Sequence, residues 1–139
     1  MQKEGIPVYL LDKEVALARD PWANASMAFI GRSIAVAGDE VVMDGEVLEL
    51  AGFSLQIIAT PGHTAGSCCY YLKDADVLFS GDTLFCLSYG RCDLPTGSEA
   101  EIWRSIREKL LVLPGETVVY PGHGEATTIE FERENNPAA

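Results

Sequence analysis

The chain has 139 residues and a mass of 15.0 kDa, the size of one ordinary domain. Its 47% hydrophobic and 22% charged residues exclude a wholly disordered, collagen-like or coiled-coil chain. Ten basic against 21 acidic residues give a net charge of −11, which repels a phosphate backbone and an anionic bilayer, so nucleic acid and membrane are excluded as expected partners. Only two histidines occur, His63 and His123, so any metal chemistry must draw its remaining ligands from carboxylates, thiols or outside the chain.

In chain order, Ile6–Leu11 reads as a short strand and Asp12–Arg19 as a helix stopped by Pro21. Residues 22–39, with Asn24 and Ser26 as candidate caps, read as loop with some helix. Val41–Met43 is a strand, Asp44-Gly45 favours a type I′ turn, and Val47, Leu48 and Leu50 form another strand before a break at Gly52. Phe53–Ala59 alternates with Phe53, Leu55 and Ile57 on one face, and Thr60–Gly66 is a loop rich in glycine and proline. Strands follow at Ser67–Leu72 and Val77–Ser80 around a polar turn.

Ser98 with Glu101 is a capping box opening a helix whose apolar face is Ile102, Trp103, Ile106, Leu110 and Leu113. Thr117–Tyr120 is a last strand, and Thr127–Arg133 a final helix with Thr127 and Glu130 as its cap pair. Trp22, Trp103 and Tyr120 are expected in the core. No apolar run reaches the roughly 18 residues that span a bilayer, and the start lacks a signal-like hydrophobic stretch, so a cytoplasmic location is expected. The spacing of Cys68, Cys69, Cys86 and Cys92 gives no disulfide framework and no C-x-x-C knuckle, and they read as reduced thiols.

His63, Asp82 and His123 share one property: each lies just past the end of an expected strand, in a glycine-bearing loop. Both histidines stand in the same Pro-Gly-His context, where glycine lets the backbone turn sharply and aim the imidazole away from the sheet. Imidazole plus carboxylate suits zinc, iron or manganese, and a carboxylate can bridge two such ions.

The strings Thr60-Pro-Gly-His-Thr-Ala-Gly-Ser67, Phe79-Ser-Gly-Asp-Thr-Leu-Phe85, Gly90-Arg-Cys-Asp-Leu94 and Tyr120-Pro-Gly-His-Gly124, in this order, resemble the metallo-β-lactamase-fold hydrolases. Within them the chain is most similar to glyoxalase II, the hydroxyacylglutathione hydrolases. Its tail, with Thr127-Thr128-Ile129-Glu130, Glu132-Arg133 and Asn136-Pro137, looks like that of the short bacterial branch. The resemblance implies an α/β fold, the αββα sandwich, with two divalent metals, zinc foremost and iron or manganese as alternatives. It makes His63 a ligand of the first metal, Asp82 the catalytic bridging carboxylate, and His123 a ligand of the second. Two cations would lower the pKa of a bound water and polarise a thioester carbonyl. Arg91 and Asp93 match a Gly-Arg-x-Asp element that supports the metal-site loops or forms an exposed ion pair, and Thr64 and Thr83 would orient loops through hydroxyl hydrogen bonds.

The family's H-x-H-x-D-H motif is absent, and no third histidine exists to replace it. The first metal is left with His63 and Asp82 and the second with Asp82 and His123, short of the three protein ligands of a catalytic zinc. Residues 1–139 are therefore expected to form a single partial domain lacking its N-terminal sheet region: a shortened reading frame, an expression fragment or a proteolytic fragment. Its inner sheet face would be exposed, and a homodimer or strand-exchanged oligomer is expected to cover it. The implied activity is hydrolysis of an acylglutathione or a related acyl thioester or lactone, weak or absent in this chain alone. The alternatives are a non-catalytic module keeping the fold and a persulfide dioxygenase-like iron protein.

Overall fold

The computed structural model describes residues 5–139; the first four residues, which carry part of the reading of the N-terminal start, lie outside them. The centre is a six-stranded sheet in the order β10-β9-β6-β5-β4-β3, built from β3 (Val47–Leu50), β4 (Phe53–Ala59), β5 (Cys68–Leu72), β6 (Val77–Gly81), β9 (Val118–Pro121) and β10 (Thr127–Thr128). A separate parallel pair joins β1 (Tyr9–Leu11) to β2 (Glu40–Val42), and a two-residue hairpin joins β7 (Leu84–Phe85) to β8 (Ser88–Tyr89).

Register divides the sheet into two faces. Ile58 pairs with Cys69 and Leu78 with Tyr71 and Val119, so these side chains share a face. That face packs against Ile102 of α3 (Glu99–Ser105), Ile106 and Leu110 of the π-helical turn that continues it, and Ile129 of α4 (Ile129–Asn135). On the other face Ile57 packs with Leu11 and Val42 of the β1–β2 unit, beside Tyr70, Cys68 and Leu48. Asp12–Glu14 forms a 3₁₀ turn and Val15–Arg19 is α1; within 22–39 only Ser26–Phe29 is helical, as α2.

The second face is covered unevenly. Toward β6 and β9 the rings of Phe79 and Tyr120 stack with centroids 5.9 Å apart, and each remains nearly half exposed. Tyr120 therefore does not belong to the core, because among the described residues no layer lies over that end of the sheet. Trp22 is also outside it, 71% exposed in the turn before α2. Trp103 is half-buried, edge-on to the ring of Tyr89.

Two turns differ from the sequence expectation. Asp44-Gly45 has one left-handed residue rather than the two a type I′ turn requires, because it joins strands of different sheets. Ala51 and Gly52 both have positive φ and close the true two-residue hairpin between β3 and β4. The final helix is capped by Thr128, whose hydroxyl accepts from the Phe131 amide, while the Thr127 hydroxyl donates to the Glu132 carboxylate. The capping bond of α3, from the Glu101 amide to the Ser98 hydroxyl, stands as the sequence indicates.

Candidate metal centre

Strand direction alone brings three loops to one edge. β4 and β6 are each antiparallel to β5, and β9 is parallel to β6, so the ends of β4, β6 and β9 point the same way. His63 follows β4, Asp82 follows β6 and His123 follows β9. Their side chains meet: His63 Nε2 lies 3.6 Å from Asp82 Oδ2, and His123 Nε2 lies 3.9 Å from Asp82 Oδ1. Each histidine faces a different oxygen of one carboxylate.

Close backbone approaches set this arrangement. Gly62 has φ +145° and packs against the main chain and side chain of Ile102 at the start of α3. A Cβ on Gly122 would run into Asp82 Oδ1, and one on Gly90 into the Asp82 carbonyl. The Gly122 amide donates to the Gly81 carbonyl at 2.8 Å, tying the His123 loop to the strand end that carries Asp82. Beneath the site the buried hydroxyls of Thr60 and Thr83 bond at 2.9 Å, linking the ends of β4 and β6.

The two rings are held by different means. His63 Nδ1 lies 2.8 Å from the Arg91 carbonyl, which can only accept, so Nδ1 carries the hydrogen and Nε2 is the nitrogen turned toward Asp82. Among the described residues no hydrogen bond holds the His123 ring. Its neighbour is the ring of Phe85, 4.4 Å between centroids.

Thr64 donates its hydroxyl to Glu14 and shares a bond with Ser67, joining the His63 loop to the start of α1. Arg91 and Asp93 form an exposed bidentate pair at 2.6 and 2.7 Å, and the guanidinium beside Asp93 lowers its carboxyl to about 2. Sequence reasoning missed the part of Arg91 that reaches the site, because a main-chain carbonyl leaves no residue-type signal. It also missed Glu132 and Asn136 as buried residues behind the site.

A cleft of about 500 Å³ opens beside His63 and Asp82, walled by Leu17, Asn24, Cys68 and Leu94. All four cysteines are free thiols. Burial raises the Cys68 thiol and pushes Cys69 up to about 12, so neither is a ready thiolate ligand.

In kind the donors suit divalent metals: two imidazoles, one with its free nitrogen fixed in direction, and a carboxylate whose oxygens face opposite ways. In number they supply two side chains for each of two ions. Among the described residues no group of three or more His, Cys, Asp or Glu side chains could hold an ion. No helix among them is long and apolar enough to cross a membrane.

Comparison with known proteins places this geometry. The family model described as the metallo-beta-lactamase superfamily matches residues 1–123. The chain is 39% identical over 137 residues to the probable metallo-hydrolase YqgX of Bacillus subtilis (strain 168), covering 98% of this chain and 65% of that protein. It is 48% identical over 85 residues to a hydroxyacylglutathione hydrolase of Brucella anthropi, covering 61% of this chain and 32% of that one. Among solved structures, the BLEG-1 B3 metallo-beta-lactamase superposes with a TM-score of 0.90 at 41% identity, covering 98% of this chain and 66% of that chain. TTHA1623 in a di-iron-bound form gives 0.78 at 35% identity, with the same coverages. The chain spans 45% and 65% of the first two curated relatives it matches. With a family model over most of its length and His63, Asp82 and His123 gathered at one sheet edge, the chain belongs to the metallo-β-lactamase superfamily.

Proposed function

We propose that this chain is the downstream part of a metal-dependent hydrolase domain, that His63, Asp82 and His123 are its share of a two-metal site, and that the inherited reaction is glyoxalase II-like thioester hydrolysis. The observation that carries the reading is the division of Asp82, one oxygen toward each imidazole, as a carboxylate bridging two ions requires. The partial likeness to a hydroxyacylglutathione hydrolase supports the substrate class, and the di-iron-bound relative supports a two-ion site. Zinc, iron and manganese all suit the donor set, with zinc foremost.

When bound, the ions would supply Lewis acidity toward the thioester carbonyl and toward water. The chain's own residues do the rest. The Arg91 carbonyl orients His63, Asp82 holds the two histidine arms at a common centre, and the cleft beside them receives the acyl group against Leu17 and Leu94. With two side chains per ion, metal occupancy is partial and activity weak or absent for this chain alone.

Elemental analysis beside a thioester hydrolysis assay tests the reading, on this chain and on a version lengthened upstream by a segment bearing H-x-H-x-D-H. Two metals and turnover in the long form, with substoichiometric metal and little turnover in the short one, support it. Stoichiometric metal and full turnover in the short chain overturn the incompleteness, and no metal in either form overturns the site. We further propose that the exposed Phe79–Tyr120 end of the sheet drives self-association of the short chain. A monomer by light scattering at all concentrations would refute that.

A further inference from the structure

We infer that the buried carboxylate of Glu132 and the amide of Asn136, on and just past the C-terminal helix, are positioning residues for His123, acting through the β7–β8 hairpin. Glu132 is fully buried, and among the described residues no cation pairs with it. Its carboxylate instead collects neutral donors from three places: the Thr127 hydroxyl at 2.6 Å, the Leu87 amide at 3.0 and 3.2 Å, and Asn136 Nδ2 at 2.7 Å. Leu87 sits at the hairpin tip with φ +57°, a conformation unfavourable for leucine and fixed here by the bond its amide makes to Glu132. Asn136 Nδ2 also reaches the Ser88 carbonyl at 3.0 Å and the Phe85 carbonyl at 3.4 Å.

The hairpin is thus gripped at its tip and on both strands by two residues four positions apart in the tail. Its Phe85 ring lies 4.4 Å from that of His123, a ring with no hydrogen bond of its own among the described residues. Moving the hairpin therefore moves the aromatic ring against which this imidazole packs. The grip is separate from what holds the tail to the rest of the domain: Arg133 donates to the Leu111 and Leu113 carbonyls and Arg107 to those of Ala138 and Ala139. The placement of His123 stands whether or not it ligates a metal; only its catalytic consequence rests on the proposed function.

The test uses the full chain without metal. Two histidines give two pairs of side-chain NMR signals, assigned with His63→Gln. Phe85→Leu defines the ring-current shift that Phe85 imposes on His123. Glu132→Ala is expected to lose most of that shift while the His63 signals stay in place, because His63 is held by a different loop. Asn136→Ala, which leaves Glu132 its bonds to Thr127 and Leu87, is expected to lose a smaller part and serves if Glu132→Ala does not fold. Glu132→Gln, which keeps one acceptor oxygen, is expected to restore part of it. Arg133→Ala loosens the same helix from the other side and is expected to leave both histidines unmoved. His123 signals unchanged in Glu132→Ala and Asn136→Ala, or equal movement of His63 and His123 in all variants including Arg133→Ala, would overturn the inference. Either result leaves the two-metal reading to its own test by elemental analysis.

Discussion

The two histidine arms carry the same Pro-Gly-His string and meet the same carboxylate, yet they are built differently. His63 is 19% exposed, its ring is anchored by a carbonyl, and its loop is wedged by Gly62 against α3. His123 is 72% exposed and leans on an aromatic ring carried by a hairpin. A repeated motif therefore supplies the turn and the imidazole, while rigidity comes from whatever packs behind it. One arm draws it from local backbone and helix contacts, the other from the distant C-terminal tail.

Perturbing the rigid arm is expected to have the largest effect. Gly62→Ala must abandon φ +145° and push Cβ into the Ile102 backbone, so we expect a loss of about 3 kcal/mol in urea unfolding together with displacement of the His63 signals. Next comes the joint beneath both arms. Thr60→Val leaves the buried Thr83 hydroxyl without its partner, for an expected loss of about 2 kcal/mol by the same measurement. Gly122→Ala, on the looser arm, clashes with the end of the Asp82 side chain, which can swing aside, and comes within 3.2 and 3.3 Å of the Gly81 backbone, a milder crowding than at Gly62. It is expected to cost about 1 kcal/mol, a fraction of what the same change costs at Gly62, and to weaken metal binding more than stability.

The smallest effect is expected at Arg91. Its side chain pairs with Asp93 at the surface and only its main chain holds His63, so Arg91→Ala should leave the urea midpoint and the His63 signals unchanged. What should move is Asp93, whose carboxyl NMR titration rises from about 2 toward its ordinary value of 3.8. The sign follows from the depressed folded value: whatever the pair contributes is present above the unfolded pKa and is lost as pH falls from there through about 2.

Much of the site was legible because its determinants are local in sequence. Strand ends followed by Pro-Gly-His or Gly-Asp announce ligand-bearing loops, and the alternation of β4 to β6 with the placement of β9 brings those loops to one edge. What stayed hidden depends on contacts between distant segments. Glu132 and Asn136 enter the sequence reading only within the tail strings Glu132-Arg133 and Asn136-Pro137, and become buried because Leu87, Thr127 and the hairpin carbonyls converge on them from elsewhere. Trp22 and Tyr120 were expected inside on the strength of their apolar rings. Their exposure reflects the absence of a covering layer among the described residues, which no residue's own chemistry encodes. The Asp44-Gly45 pair favoured a hairpin by type, and strand pairing into two different sheets overrode it.

Asp82 is where the two arms meet, and zinc titration of the chain followed through the two histidine side-chain signals asks whether it joins them. If Asp82 bridges a two-metal site, the signals of His63 and His123 move together over one weak saturation curve, and Asp82→Ala abolishes the response of both. Independent movement of the two histidines, or a zinc response that survives Asp82→Ala, would contradict the bridging role.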